Sequence, residues 1–159
     1  MDVVEYIIQT TDLHKAFRSR QRDGLIWAVN GISLGVRAGE TFGLIGPDGA
    51  GKTTLMRLLA GLMRPTRGRA SVCGYDTVRQ TFRIKERIGY MAQQFSLYGD
   101  LSVLENIRFF ASVHGVSDEA QRKRLPELLE FAGLSQFQSR RAARLSGGMK
   151  KKLALACLL

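Results

Sequence analysis

The octapeptide Gly46-Pro47-Asp48-Gly49-Ala50-Gly51-Lys52-Thr53 constrains this chain more than any other feature, because it fits the spacing G-x-x-x-x-G-K-[ST]. Just before it, residues 41–45 (TFGLI) form a short, nearly continuous apolar run of the kind buried on both faces in a parallel sheet. Just after it, Leu55, Leu58, Leu59 and Leu62 fall at i, i+3, i+4 and i+7 and predict a helix with one apolar stripe, closed by Pro65 and Gly68. A loop in this setting can wrap a phosphate chain. Gly46, Gly49 and Gly51 allow backbone angles and close approaches that a Cβ would block, so several N–H groups can aim inward. The helix start adds unpaired N–H groups and partial positive charge. The expected ligand is ATP with Mg²⁺, held over Gly46 to Thr54. Lys52 would reach the β- and γ-phosphates, the Thr53 hydroxyl would ligate Mg²⁺, and Thr54 would bond on the α-phosphate side.

The rest of the chain supplies a frame for this loop. A strand is expected from Glu5 to Leu13, followed by a polar hairpin loop (RSRQRDG). Ile32, Leu34 and Val36 alternate with polar or small residues, which predicts a second strand with one buried face, and Ala38-Gly39 marks a turn. Ala70 to Tyr75 reads as a short strand, Gln80 to Arg87 as a short helix, and Ile88 to Met91 as another strand. From Ser102 the pattern is helical. Ser102 and Glu105 form a capping box, with Leu104, Ile107 and Ala111 on one face. Leu125, Leu128, Leu129 and Ala132 form another stripe, with Pro126 expected near the start of that helix and Gly133 stopping it. A last apolar helix opens after Gly147-Gly148. The strand-rich part gives way to the helical part near Phe95.

Composition narrows the setting. The 159 residues are enough for one domain with a core, and 45% apolar with 24% charged residues is ordinary for a globular protein. The first residues lack the pattern of a signal peptide. No apolar run approaches the ~20 residues needed to cross a bilayer, so any membrane span is expected from a separate polypeptide or from chain outside these residues. Cys73 and Cys157 are isolated and read as buried or half-buried thiols in a reducing cytosol. His14 and His114 are equally alone and receive no role. The formal charge is +10 and the pI about 10.2. Dense runs lie at Arg18 to Arg22, Arg140 to Arg144 and Lys150 to Lys152, but no aromatic residues interleave with them as a stacking platform requires. A solvated basic surface is favoured over nucleic-acid binding.

Two further segments say which kind of nucleotide protein this is. Leu145-Ser146-Gly147-Gly148-Met149 lies about 95 residues beyond the phosphate loop and opens a helix, a second place where free N–H groups can meet an anion. GYMAQQFSLYGDLSVLENI (Gly89 to Ile107) runs from an expected strand through Gln93 to the capped helix. Together with the phosphate loop these resemble the ATP-binding subunits of ABC transporters, from Leu13-His14-Lys15-Ala16-Phe17 to Leu159. GPDGAGKTTLMRLLAGL and LYGDLSVLENI look most like the exporter type whose permease is of the ABC-2 class, a type that often exports drugs. The resemblance implies an α/β fold, a P-loop NTPase ATP-binding cassette, incomplete: an antiparallel β subdomain plus part of the parallel-sheet core, with a helical subdomain. It implies domains over 1–94, 95–148 and 149–159, the last being the start of the signature helix.

The resemblance also implies roles. Phe17 would stack on adenine, the alternative being a buried aromatic at a strand end. Gln93 would touch Mg²⁺ and the attacking water, with Gln94 the adjacent alternative. The signature residues Leu145 to Met149, through Ser146, Gly147 and Gly148, would contact the γ-phosphate of ATP held by a second subunit in a head-to-tail dimer. Residues from Phe95 to Leu101 would face an integral membrane permease, placing the protein in the cytoplasm on the inner face of the membrane. No nucleic acid is expected as a partner. Asp48 stands where the family usually has Asn, Met149 where it has Gln, and Ala92 where Pro is common. The family continues to a strand ending in Asp-Glu and to a switch histidine, and residues 1–159 contain neither. The expectation is a truncated subunit that binds ATP and is deficient in hydrolysis. Two alternatives stay open, an ABC-type ATPase acting on nucleic acid or ribosomes, and a non-catalytic nucleotide-binding module.

Overall fold

The computed structural model describes residues 6–18, 24–93 and 97–159. It divides into two compact units, one ending at Ile88 and the other running from Gly89 to Leu159.

The first unit is built on a four-stranded antiparallel sheet of order β2-β1-β3-β4, from β1 (Tyr6–Arg18), β2 (Leu25–Arg37), β3 (Arg67–Val72) and β4 (Tyr75–Asp76). β1 and β2 form a hairpin whose last pair is Arg18 with Leu25, which brackets the expected polar loop. Thr10 is buried inside the sheet with its hydroxyl paired both ways: it donates to the Ile32 carbonyl at 2.9 Å and accepts the Leu34 N–H at 3.0 Å. Helix α1 (Lys52–Leu59) follows the glycine loop and buries Leu55, Leu58 and Leu59 with Leu13, Val29 and Val72. Burying such a side chain contributes roughly 1.5–3 kcal/mol before entropy is counted. A short helix, α2 (Thr81–Lys85), fixes itself to the same core through Ile84, which is fully buried.

Several expectations for this unit are corrected. Helix α1 ends at Leu59, well before Pro65. Gly61 has φ +66°, its N–H bonds the Leu58 carbonyl, and the Leu62 N–H reaches back to Arg57, the paired bonds of a left-handed helix stop. Leu62 therefore leaves the stripe and is exposed. Ala70 to Tyr75 is a tight hairpin rather than one strand: β3 turns at Cys73-Gly74, both with positive φ, into β4. Residues 41–45 and 88–91 are not strands, and no parallel pairing occurs among the described residues. A strand exists only through a hydrogen-bonded neighbour. With no described segment beside it, the TFGLI run is irregular, and Ile45 is fully exposed. The parallel-sheet part of the expected architecture is therefore absent from the described residues, while the antiparallel sheet and the helices are present.

The second unit is helical: α3 (Val103–Val113), α4 (Asp118–Phe131) and α5 (Gly147–Ala156), with 3₁₀ turns at Ser135–Phe137 and Ala142–Arg144. Its core gathers Val103, Ile107, Leu129, Leu134, Leu145 and Leu153. The expected capping box is formed. The Ser102 hydroxyl accepts the Glu105 N–H at 3.2 Å and the Glu105 carboxylate accepts the Ser102 N–H at 2.7 Å. The buried stripe of α3 is Val103, Asn106 and Ile107, with Leu104 and Ala111 only half-buried. Helix α4 is longer than its apolar stripe. It starts at Asp118 under a Ser117 cap, so Pro126 lies inside it rather than near its start. The ring removes one backbone donor, and the polar turns before Pro126 stay helical through the cap and the acidic first turn. Gly133 ends α4 as expected.

The bonds from the Ser102 backbone and side chain hold the Glu105 carboxyl below its ordinary value. A carboxylate lowered on folding stabilises the fold above its unfolded pKa of roughly 4.3, and that contribution is lost as pH falls through the lower folded value. Glu105→Ala is therefore expected to lower the urea midpoint at pH 7 and to match the parent chain near pH 3; a gap that persists at low pH would assign the effect to something other than this carboxylate.

Candidate functional site

The glycine loop of residues 46–51 has a definite local geometry. Gly51 ends it in a left-handed conformation (φ +85°), and a Cβ there would run into the Ala28 carbonyl of β2. The chain turns directly into α1, whose first internal bond is from the Leu55 N–H to the Gly51 carbonyl at 2.9 Å. The amides of the preceding first turn thus have no acceptor within the helix. No side chain caps this end and no acidic residue occupies the first turn, so nothing in the helix itself competes with an incoming anion. The Lys52 ammonium folds over the loop and donates to the Gly46 and Pro47 carbonyls, each at 2.7 Å. Residues 46–50 and Thr53 are exposed, whereas Gly51, Lys52 and Thr54 are half-buried.

Phe17, near the end of β1, is 40% exposed and so is not the buried strand-end aromatic of the alternative reading. The Lys15 ammonium lies 5.3 Å from the centre of its ring while donating to the Arg64 carbonyl at 2.8 Å. This contact leaves an accessible aromatic surface in the unit that carries the loop.

In the helical unit, Leu145 is buried and anchors the start of α5, while Ser146, Gly147 and Gly148 are exposed. The Ser146 hydroxyl accepts the Met149 N–H at 3.3 Å, a side-chain cap, and Met149 packs against the core. Gln93 is exposed; Gln94 and Phe95 lie outside the described residues. The loop set and the Ser146 set belong to different units.

Sequence reasoning missed two features of the helical unit. Asn106, fully buried, clamps the loop before α3. Its Oδ1 accepts the Tyr98 N–H at 2.9 Å, and its Nδ2 donates to the carbonyls of Tyr98, Leu101 and Ser102 at 3.0, 3.2 and 2.9 Å. The available signal was a polar residue three places after Val103 on the buried stripe. The clamped loop is also stitched to the segment leading to Ser146, since Ala142 N–H bonds the Leu101 carbonyl at 2.8 Å and Val103 N–H bonds the Arg140 carbonyl at 3.0 Å. Second, Tyr98 packs edge-on against Phe109 at 4.6 Å and Phe109 edge-on against Phe110 at 5.4 Å, and Tyr98 and Phe109 remain 49% and 38% exposed.

Comparison with known proteins decides the family. The sequence profile of the family described as ABC transporter matches residues 29–159. This chain belongs to the ABC transporter family. It is 44% identical over 153 residues to the probable multidrug ABC transporter ATP-binding protein YbhF of Escherichia coli, covering 96% of this chain and 26% of that protein. It is 33% identical to the ABC transporter ATP-binding protein NatA of Bacillus subtilis, covering 94% of this chain and 61% of that protein. The fold matches the dimeric bacterial ABC transporter cassette MJ0796 with a TM-score of 0.81 at 27% identity, over 96% of this chain and 68% of that one. The same cassette is known in a post-hydrolysis state bound to ADP and Pi. The ABC chain thus spans about a quarter to three fifths of the length of these curated relatives. Among the described residues no helix is long and apolar enough to cross a membrane.

Because the Gly51 contact with β2 leaves no room for a methyl group and its φ is unfavourable for other residues, Gly51→Ala is expected to destabilise the chain by roughly 2–4 kcal/mol, read as a lowered urea midpoint. An unchanged midpoint would mean that the loop can leave the Ala28 carbonyl freely.

Proposed function

We propose that this chain binds ATP with Mg²⁺ on residues 46–54 and serves, within a longer ABC subunit, to power export through an ABC-2 type permease, with drugs as the leading cargo class. The observation that carries the binding reading is the Lys52 ammonium held by two loop carbonyls at the uncapped start of α1. Phosphate oxygens are stronger acceptors for an ammonium than carbonyls and can take their place, while the loop amides and the helix start supply further donors. Phe17 offers its exposed ring to the base. The hydroxyl of Thr53 and the amide oxygen of Gln93 are hard donors, the kind that suit Mg²⁺, which keeps most of its waters and binds through phosphates. When bound, Mg²⁺ neutralises phosphate charge; the chain's residues position the triphosphate. The export reading draws on the multidrug name of YbhF and on the Nod factor export proteins, to one of which, in Ralstonia nicotianae, this chain is 41% identical.

The dimeric cassette MJ0796 supports a pair of such chains, and the arrangement proposed for it is head-to-tail. In it Ser146, Gly147 and Gly148 of one chain would meet the γ-phosphate held by Lys52 of the other. Permease contact is assigned to the loop from Leu97 to Leu101 with the Tyr98–Phe109–Phe110 aromatics. Exposed, mutually braced rings are the usual anchors of a protein interface, and Asn106 holds this loop in shape.

For residues 1–159 taken alone the proposal is binding without steady-state turnover. In the unit that carries the loop, Asp12, Glu40, Asp76 and Glu86 each hold a structural partner. Among the described residues of this unit that leaves Asp48, on the loop itself, and phosphoryl transfer to water needs a positioned residue for the attacking nucleophile.

Calorimetry with ATP, run beside a phosphate-release assay, is expected to show Mg²⁺-dependent binding with no P-loop-dependent turnover. Lys52→Ala should abolish binding of a fluorescent ATP analogue; unchanged affinity would remove the binding reading, and turnover comparable to a full subunit would remove the hydrolysis-deficient one. In the full-length subunit, Tyr98→Ser with Phe109→Ser should lower recovery with the detergent-solubilised permease while nucleotide affinity stays constant. Equal recovery would place the docking surface elsewhere.

A further inference from the structure

Away from the nucleotide loop and the aromatic cluster, residues 79–87 carry an unusual surface. Phe82 on α2 is 72% exposed, the most exposed aromatic ring among the described residues. Around it in sequence stand Arg79, Arg83, Lys85 and Arg87 against the single acid Glu86. Arg79, Arg83, Lys85 and Arg87 are all exposed. The Glu86 contact to Arg83 is long, at 3.8 Å, and Arg87 lies 5.2 Å from the Tyr75 ring. Among the described residues no carboxylate pairs with Arg79 or Lys85 within 4.0 Å, and the exposed Phe82 stands among these cations in sequence.

The segment is held in place from below. The Asp76 carboxylate accepts the Val78 and Arg79 N–H groups, each at 2.8 Å, and these bonds keep it below the ordinary carboxylate range. The Gln80 side chain returns to the Asp76 N–H at 3.0 Å. Ile84 is fully buried, so the face of α2 opposite it is fixed outward. Phe82 is thus presented on a rigid turn rather than left on a loose loop.

We propose that residues 79–87 form a lipid-contact site, in which Phe82 enters the headgroup boundary of an anionic phospholipid surface while Arg79, Arg83 and Lys85 lie against the headgroup phosphates. Charge complementarity selects this occupant. A protein groove would bury the ring but would need several carboxylates to match the cations. Single-stranded nucleic acid would use a row of aromatics along the basic stripe, and residues 79–87 carry one ring; duplex DNA, which would use the cations alone, gives no role to the exposed ring. A cationic patch with a single apolar wedge is the chemistry of a membrane interface, where basic side chains gain from the anionic surface and an aromatic ring gains from leaving water. This gives a role to part of the +10 charge. It also makes a membrane contact that belongs to the chain itself and does not pass through a permease.

The test uses the full chain, without nucleotide or permease, in co-sedimentation with phosphatidylcholine vesicles with and without phosphatidylglycerol. The chain should pellet with the anionic vesicles only, and less as salt rises. Arg83→Ala with Lys85→Ala should lower partitioning by roughly tenfold or more, and Phe82→Ser by roughly fivefold, whereas Phe82→Trp should retain it. Arg122→Ala with Lys123→Ala, which removes the same charge from α4, should leave partitioning close to the parent value. The proposal is overturned if Phe82→Ser binds like the parent chain, if the α4 pair loses as much as the α2 pair, or if the α2 pair weakens binding to duplex DNA and leaves vesicle binding unchanged. Circular dichroism and binding of the ATP analogue, which the α2 variants should retain, separate loss of the patch from loss of the fold and from any failure of the nucleotide reading.

Discussion

The contact between Gly51 and the Ala28 carbonyl fixes the geometry of the first unit. The loop reaches the sheet at that point, and only a residue without a side chain can sit there in a left-handed conformation. Helix α1 then begins against β2, which sends Leu55, Leu58 and Leu59 into the core of the sheet. The same start leaves the first-turn amides pointing at the loop and brings the Lys52 ammonium back over Gly46 and Pro47. Core packing and the proposed phosphate site therefore share one constraint. The helix could not shift to improve one without changing the other.

Much of this was legible because it is written locally. A capping box needs only Ser102 and Glu105 three residues apart, a helix stop needs only Gly133, and a phosphate loop needs glycines and a lysine at fixed spacing. The capping box and the helix stop satisfy their own backbone groups within a few residues, so neighbours far along the chain do not alter them, and the loop motif is marked by its own spacing. The β1–β2 hairpin was legible for a related reason: alternation at Ile32, Leu34 and Val36 marks one buried face of β2.

What was not legible depended on partners. Residues 41–45 have the composition of a buried strand, but composition supplies no hydrogen-bonded neighbour, and the run stays irregular with Ile45 in solvent. Leu62 fits the apolar spacing of α1, yet Gly61 had already turned the chain. Pro126 looked like a helix start because its cost is local, whereas the Ser117 cap and the helix around it offset that cost from a distance. Asn106 was hidden for the opposite reason. A polar residue on a buried stripe looks like an error until its four backbone partners on the preceding loop are known. Those bonds, with the bridge between Ser102 and Arg141, join the loop assigned to the permease to the segment that leads into Ser146.

The two phosphate-facing groups of the proposed site are prepared differently by the hydrogen bonds they already make. A serine hydroxyl has one donor and two acceptor positions. Ser146 uses one acceptor position on the Met149 N–H, which aims its oxygen along α5 and leaves its O–H available to an anion. Contact with a γ-phosphate would add a bond without breaking one. Lys52 has three N–H donors and spends two on the Gly46 and Pro47 carbonyls. Its third donor can meet one phosphate oxygen directly; each further phosphate bond would exchange a carbonyl acceptor for a phosphate oxygen, and the released carbonyl would need water or a shifted loop. The loop would therefore rearrange on binding, while the start of α5 would not. In the proposed head-to-tail pair the two half-sites would then differ in what binding asks of them: the loop around Lys52 would adjust to the triphosphate, and the preformed Ser146 end of the second chain would meet it without breaking a bond of its own.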